Sequence, residues 1–434
     1  MHIAIDARMY GTAQRGIGRY LVKLIEALEE ITPSPQPSPT DGEGEILYTI
    51  FLRRANFNEY TPSNPNFKKA LWDAPWYGWR EQMQNAELRM QNFALVHFPH
   101  WNVPLFFNRP FVVTIHDLEL FSSNRTRENS TRGHLVYWFK FQMFKIIFRH
   151  AVTASCAIIV PSNAVREQLL DRYPQVRKKV HVIYEAPTIT SSRHSERRSE
   201  ESHTLPMARG EIATLSASGR IARNDIDEHY ILYVGAAYPH KNLPRLLEAW
   251  QIVHETLQEY KLVLVGREDF FWKKLKQQFV ISTKRPDGAR GEISSTTIKH
   301  SVRSLDSARD DENCRVIFYG PATDDELATL YRNASLLVQP SLEEGFSLSP
   351  LEALSFGTPV AVSDIPVHRE ILNSAAIFFN PHESASLADA IKTILTDPSS
   401  KQRAGAEGKA LLSRFSWAQN AHKTLALYAT AKKV

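Results

Sequence analysis

Residues 341–360 read SLEEGFSLSPLEALSFGTPV, and their punctuation decides the fold. A strand ends near Pro340, a loop carrying Gly345 follows, and a helix is expected to begin at Ser349–Pro350. Ser349 suits an N-cap, where a hydroxyl accepts from a free amide, and Pro350 suits the first helical position, where no amide hydrogen is needed. Gly357 ends that helix and Pro359 opens the next strand.

This strand–loop–helix unit also carries chemistry. The amides of residues 345–349 are expected to point out of a helix N-terminus, a ready site for a diphosphate. Glu344 lies before the loop and Glu352 falls within the first helical turn, so both carboxylates face the same ligand. Carboxylates accept strong charge-assisted hydrogen bonds from sugar and ribose hydroxyls. The alternative for Glu352 is a capping box with Ser349. That reading leaves Glu344, the glycine and the context unexplained.

Outward from this unit the same rhythm recurs. Short apolar strands are expected at His2–Asp6, Leu47–Leu52, Ala94–Phe98, Phe111–Ile115, Ala157–Val160 and Val180–Ile183. After residue 228 the pattern restarts, with strands at Tyr230–Val234, Leu262–Val265, Val316–Tyr319, Leu336–Gln339, Pro359–Ser363 and Ala376–Phe379. Helical patterns separate them, the first over Tyr20–Glu30. Alternation of this kind indicates an α/β chain whose parallel sheets are covered on both faces. At 434 residues the chain exceeds one ordinary core, so we read two doubly wound domains in tandem. Residues 1–187 form the first and 228–415 the second, and a last helix, 416–434, packs back on the first. Ligands then belong in the cleft between domains, at the carboxyl ends of the strands. Three stretches break the rhythm. Residues 32–45 are Pro-rich and read as a loop, while 188–227 and 282–312 are rich in Ser, Arg and Glu and read as disordered insertions.

Hydrophobic residues make up 43% and charged residues 23%, which selects a soluble globular class. The net charge of +5 is small against 52 basic and 47 acidic side chains, so nucleic acid is not selected as a partner. Two cysteines, Cys156 and Cys314, support neither a disulfide framework nor a metal site. The N-terminus opens into a strand and no apolar run spans a membrane, so the cytosol is the expected compartment.

The spacing Glu344-x7-Glu352 with its flanks, GFSLSPLEA, resembles the retaining glycosyltransferases of family 4, which have the two-domain GT-B fold. The resemblance covers nearly the whole chain apart from the insertions. It implies that Glu352 binds the ribose of a nucleotide-sugar donor, that Glu344 contacts the donor sugar, and that Gly345, Phe346, Ser347 and Leu348 hold the diphosphate. In YVGAAYPHKN (233–242) it places Gly235 in the donor loop and Lys241 on the diphosphate. Many members carry arginine directly after that glycine; here the residue is Ala236, so His240 or Arg267 is the candidate substitute. His116, in FVVTIHDL, matches a histidine near the C6 hydroxyl of the donor sugar, and Asp117 reads as capping its loop.

Other features are less committed. In the first loop, DARMYGTAQRGIGRY, the resemblance brings Gly16, Gly18, Arg15 and Arg19 toward donor phosphates and acceptor. His97 and His100, in VHFPHWN, are candidates for the acceptor or the sugar; no Cys or carboxylate completes a metal site with them. The aromatic stretch His134–His150 carries Lys140, Lys145 and Arg149. It reads as a helix packed on the sheet, with peripheral contact to the inner membrane face as the alternative. No Asp-x-Asp falls in a suitable loop, so no metal or other cofactor is expected. The expected reaction moves a hexose from a GDP- or UDP-linked donor to a glycan or lipid-linked acceptor, with retention. WYGWREQ (76–82) and HFPHWNVP (97–104) resemble bacterial members, some of which use mannose. A nucleotide-sugar epimerase of the same fold and a non-catalytic scaffold are the alternatives. The first is not expected to match EGFSLSPLE, and Ala236 leans toward the second.

Overall fold

The computed structural model describes residues 1–11, 15–34, 45–74, 76, 81, 92–121, 134–191, 229–283 and 315–431. These residues form two wholly parallel sheets. The first joins β1 (His2–Asp6), β2 (Leu47–Leu52), β3 (Phe67–Leu71), β4 (Leu95–Phe98), β5 (Phe111–Thr114), β6 (Ala157–Val160) and β7 (Val180–Val182), in the order β3-β2-β1-β4-β5-β6-β7. The second joins β8 (Tyr230–Val234), β9 (Lys261–Val265), β10 (Val316–Gly320), β11 (Leu336–Gln339), β12 (Val360–Ser363) and β13 (Ile377–Phe379), in the order β10-β9-β8-β11-β12-β13. The helices are α1 (Arg15–Ile31), α2 (His134–Ala154), α3 (Asn163–Arg172), α4 (Leu243–His254), α5 (Phe270–Thr283), α6 (Asp324–Asn333), α7 (Leu348–Ser355), α8 (Pro366–Leu372), α9 (Ser384–Thr396), α10 (Ser400–Leu412) and α11 (Trp417–Ala431). This is the doubly wound α/β class expected from the sequence.

The inner strands are buried on both faces, which is why they read as unbroken apolar runs. Ile3, Ala4 and Ile5 of β1 and Ile231 and Leu232 of β8 expose no surface. The strand not expected, β3 (FKKAL), lies at the sheet edge, where one flank is open and lysines are tolerated. Helix α1 starts at Arg15 instead of Tyr20, so Gly16 and Gly18 belong to its first turn and not to a loop. The insertion expected from residue 188 begins later: Ile189 packs in the core and Thr188 bonds to Glu352. Residues 35–44, 192–228 and 284–314 lie outside the described residues.

In each sheet the strand order reverses once, between β1 and β4 and between β8 and β11. Crossovers leave in opposite directions there, so a crevice opens at the carboxyl ends of those strands. The two crevices are joined by contacts between the halves. Helix α11 lies against α1, with the Tyr428 hydroxyl 2.6 Å from His97 Nδ1. Its Asn420 Nδ2 donates to Tyr184 O at 2.8 Å and Trp417 Nε1 to Pro187 O at 3.3 Å. Glu370, in α8, accepts from the amides of Asn163 (2.7 Å) and Ala164 (2.9 Å) at the start of α3, and from the Tyr184 hydroxyl at 3.0 Å.

Candidate active site

The second sheet's crevice is built from the ends of β8 and β11. After β8 the chain turns through Pro239–Lys241 to Asn242, which takes the left-handed conformation (φ 59°). Asn242 Nδ2 donates to Pro340 O (3.1 Å) and Pro381 O (2.8 Å), tying this loop to the end of β11. Lys241 is thereby aimed at Glu344: its Nζ lies 2.8 Å from both carboxylate oxygens. Glu344 also accepts from Gln339 Nε2 (2.8 Å) and Ser341 Oγ (2.7 Å). Burial opposes its charge, but Lys241 and Ser341 outweigh burial and hold the pKa down at about 2. The two residues expected to act separately on a donor are here partners of each other.

Helix α7 begins at Leu348, not Pro350, and its N-cap is Ser347, not Ser349, in the left-handed region (φ 74°). Pro350 is therefore the third helical residue, and the capping box between Ser349 and Glu352 does not form. Ser347 Oγ donates instead to His368 Nε2 (3.0 Å), whose Nδ1–H donates to Ser363 O (2.8 Å). Burial lowers the His368 pKa to about 4, so the imidazole is neutral and holds Ser347 in place. With no side-chain cap, the first amides of α7 face the crevice with their share of the helix dipole.

Glu352 is the fifth residue of α7, not part of its first turn, and only 3% exposed. It accepts from the Thr188 amide (3.2 Å), Thr188 Oγ1 (2.7 Å) and the Tyr331 hydroxyl (2.9 Å). Two of these three donors are hydroxyls, the kind a ribose diol offers. Thr188 occupies the carboxylate from the other side of the cleft.

The facing wall comes from the first sheet. His116 follows β5, and its Nδ1 lies 3.0 Å from Glu185 Oε1 while its Nε2 lies 3.0 Å from Pro99 O. Both neighbours are acceptors, so the ring donates from both nitrogens and is an imidazolium. Burial opposes the charge, but Glu185 raises the pKa above the ordinary value. The His116 carbonyl abuts Gly345, where a Cβ would lie 2.0 Å from that oxygen; only glycine permits the approach. Ser162 Oγ donates to Gly345 O at 2.8 Å and accepts from the Val165 amide at 3.2 Å, so one hydroxyl caps α3 and grips the loop.

Other expected residues scatter. Arg19 pairs with Asp324 at 2.5 Å across the cleft, and buried His240 has its Nδ1 2.5 Å from a Glu119 oxygen. Gly235 donates to Val265 O and packs against Gly266, and Arg267 is exposed on the loop after β9. The Ala236 carbonyl accepts from the Tyr233 hydroxyl at 2.7 Å. Phe346 is buried against Tyr184 and Phe415. Asp117 accepts from the Glu119 amide, a loop-capping contact. His97 is a correction: it is fully buried between Tyr428 and Thr114 and meets no cleft. The Arg15 side chain lies outside the described residues. Sequence reasoning missed Glu185, Thr188, Tyr331 and His368. None lies next to the motif it supports, so no local pattern marks them; Gln339 and Ser341 were adjacent to Glu344 and were within reach.

Residues 15–186 match Glycosyltransferase Family 4, and residues 220–411 match Glycosyl transferases group 1. The O-antigen chain mannosyltransferase RfbU of Salmonella typhimurium is 24% identical over 399 residues, covering 90% of each chain. The O-antigen chain mannosyltransferase B of Escherichia coli is 30% identical over 204 residues, 46% of this chain and 45% of the relative. Among solved structures, the sucrose-phosphate synthase of Thermosynechococcus elongatus superposes with a TM-score of 0.65 at 18% identity, over 99% of this chain and 98% of that one. The Anabaena protein HepE, in complex with UDP and glucose, gives 0.61 at 15% identity over 99% of both chains. At those identities the structural likeness establishes the fold. The two family matches take in most of the chain, one over each sheet, and on that ground the chain belongs to the family 4 glycosyltransferases and is a hexosyltransferase.

Proposed function

We propose that this glycosyltransferase moves a hexose, of the mannose type, from a nucleoside-diphosphate sugar to a glycan or lipid-linked acceptor, with retention and without a metal. The observation that carries this reading is the convergence of Lys241, Glu344 and the uncapped N-terminus of α7 on one crevice, under the His116 imidazolium. Fixed positive groups there would stabilise the negative charge that develops as the nucleoside diphosphate departs. Donor binding would draw Lys241 onto the diphosphate and leave Glu344 to accept sugar hydroxyls. A ribose diol would replace Thr188 on Glu352. Gly235, Gly345, Phe346, Ser347 and Leu348 supply the donor loop in this reading. His240, already beside Glu119, and Arg267 are weaker candidates, and Gly16 and Gly18 act by shaping the start of α1. The mannosyltransferases among its relatives support a mannosyl donor.

The test is thermal stabilisation by GDP and UDP, followed by transfer from GDP-mannose and UDP-glucose with and without EDTA. A ligand that binds the folded chain stabilises it by RT ln(1 + L/Kd), where L is its free concentration, so the melting temperature rises with ligand concentration. If neither nucleotide stabilises the chain, the donor assignment fails; if EDTA abolishes transfer, metal independence fails.

A further placement concerns helix α2. It buries Phe144, Ile147 and Phe148 and exposes Trp138, Phe139 and Ile146 beside Lys140, Lys145 and Arg149. That face suits peripheral contact with an anionic membrane on the cytoplasmic side. No helix among the described residues is long and apolar enough to cross one. Co-sedimentation with phosphatidylglycerol vesicles, lost on Trp138→Ala with Phe139→Ala, checks it.

A further inference from the structure

Residues 184–189 follow β7 and cross to the second half, where Thr188 lies on the carboxylate that the donor reading gives to the ribose. Resting on that reading, we infer that this segment is a tethered competitor of the donor. Thr188 holds Glu352 in the place of a ribose hydroxyl, and each donor molecule must displace that hydroxyl to bind.

Three observations carry this. First, Thr188 satisfies Glu352 as a ligand would. Its hydroxyl donates to Oε1 at 2.7 Å and its amide to the same oxygen at 3.2 Å, while the Tyr331 hydroxyl donates to Oε2 at 2.9 Å. Glu352 is 3% exposed and Thr188 is itself buried, so a ribose hydroxyl reaches Oε1 only by taking the place of Thr188. A buried carboxylate left without donors is costly, which gives Thr188 a physical reason to return whenever ribose leaves.

Second, the two residues that serve Glu352 are held differently. Tyr331 belongs to α6, which packs beside α7 in the same half, and its ring stacks on Phe356 at 6.0 Å. It orients the carboxylate and stays. Thr188 lies outside any helix or strand. Rotation about its χ1 withdraws the hydroxyl without breaking a regular element.

Third, the segment is anchored on both sides of Thr188. The Tyr184 carbonyl accepts from Asn420 Nδ2 at 2.8 Å and the Pro187 carbonyl from Trp417 Nε1 at 3.3 Å. Glu185 is held by His116 at 3.0 Å, and Ile189 packs in the core. A group tethered this closely competes at an effective concentration on the order of millimolar. Thr188 therefore weakens the hold on donor and product alike. After transfer it retakes Glu352 and favours release of the nucleoside diphosphate, the kind of step that limits turnover in many enzymes.

The test measures binding of UDP and GDP to the full chain by titration calorimetry. Thr188→Val removes the hydroxyl but keeps the shape and the amide. It is expected to tighten nucleotide binding by about tenfold, the scale of one hydrogen bond to a charged group. Thr188→Ser keeps a hydroxyl and should bind as the wild type does. The gain should vanish with the matching 2′,3′-dideoxynucleoside diphosphate, which has no diol to compete for Glu352. Thr188→Ala takes the place of Thr188→Val if the latter fails to fold. The inference is overturned if Thr188→Val binds no more tightly than the wild type, the result for a residue that only orients Glu352. It is also overturned if Thr188→Ser gains as much as Thr188→Val, or if the gain persists with the dideoxy compound. Failure of both nucleotides to bind the wild type and every variant would instead overturn the donor reading, which separates the two.

Discussion

At the ends of β8 and β11 the chain places a lysine, a glutamate and an uncapped helix N-terminus. At the matching ends of β1 and β4 it places an arginine already held by two carboxylates. Strand order is the same in both places, so the fold does not explain the difference. It lies in whether the positive charge is exchangeable. Lys241 has one partner and a nearby set of amides, so an incoming anion can take over its pairing. Arg8 is locked by Asp6, Glu81, Ala74 and Trp72, and it organises the crevice without addressing a ligand by charge.

The sharpest way to break this comparison is to remove each cation. Arg8→Leu leaves Asp6 and Glu81 buried without their cation and should destabilise the chain by about 3–5 kcal/mol, read by chemical denaturation. Lys241→Ala should lower kcat by roughly 10²–10³-fold, the range for losing one preorganised donor, and should also cost stability because Glu344 is left buried without its cation. If Arg8→Leu instead spared stability and abolished nucleotide binding, the two crevices would have been assigned the wrong way round. Next in size, Gly345→Ala forces the loop off the His116 carbonyl and should lower kcat/KM on the order of 10²-fold by misplacement. Each half should keep its circular dichroism.

The halves should also separate by pH. Glu344 has its folded pKa depressed to about 2 from an ordinary 4.5, so its contribution is present above 4.5 and is lost as pH falls toward 2. His116 has its pKa raised from 6.5, so its contribution is complete below that value and is lost as pH climbs through the raised one. Lys241→Met should flatten the acid limb of the melting curve and Glu185→Gln the alkaline limb, each by a few degrees. The smallest effect is expected at the bridge between halves. Glu370→Ala removes a carboxylate from the N-terminus of α3 and should cost about 1 kcal/mol, with only a modest change in donor KM.

Much of the fold was legible because inner parallel strands are uniform apolar runs and glycine and proline mark their ends. β3 was not, because two lysines at an open edge erase that signal. The start of α7 was misplaced by two residues. Ser349-Pro350 looked like the stronger cap, but the His368 imidazole holds Ser347 in a conformation that propensity does not favour.

By itself the sequence determined the two-sheet architecture and the position of the paired-glutamate loop, since both follow from short-range periodicity and local backbone preference. Only the tertiary structure decided what each group does there. Glu185 stands 69 residues from the His116 it charges, and Thr188 stands 164 residues from the Glu352 it occupies. Protonation and hydrogen-bond partners depend on which groups packing brings within about 3 Å, and local sequence pattern carries no record of that choice.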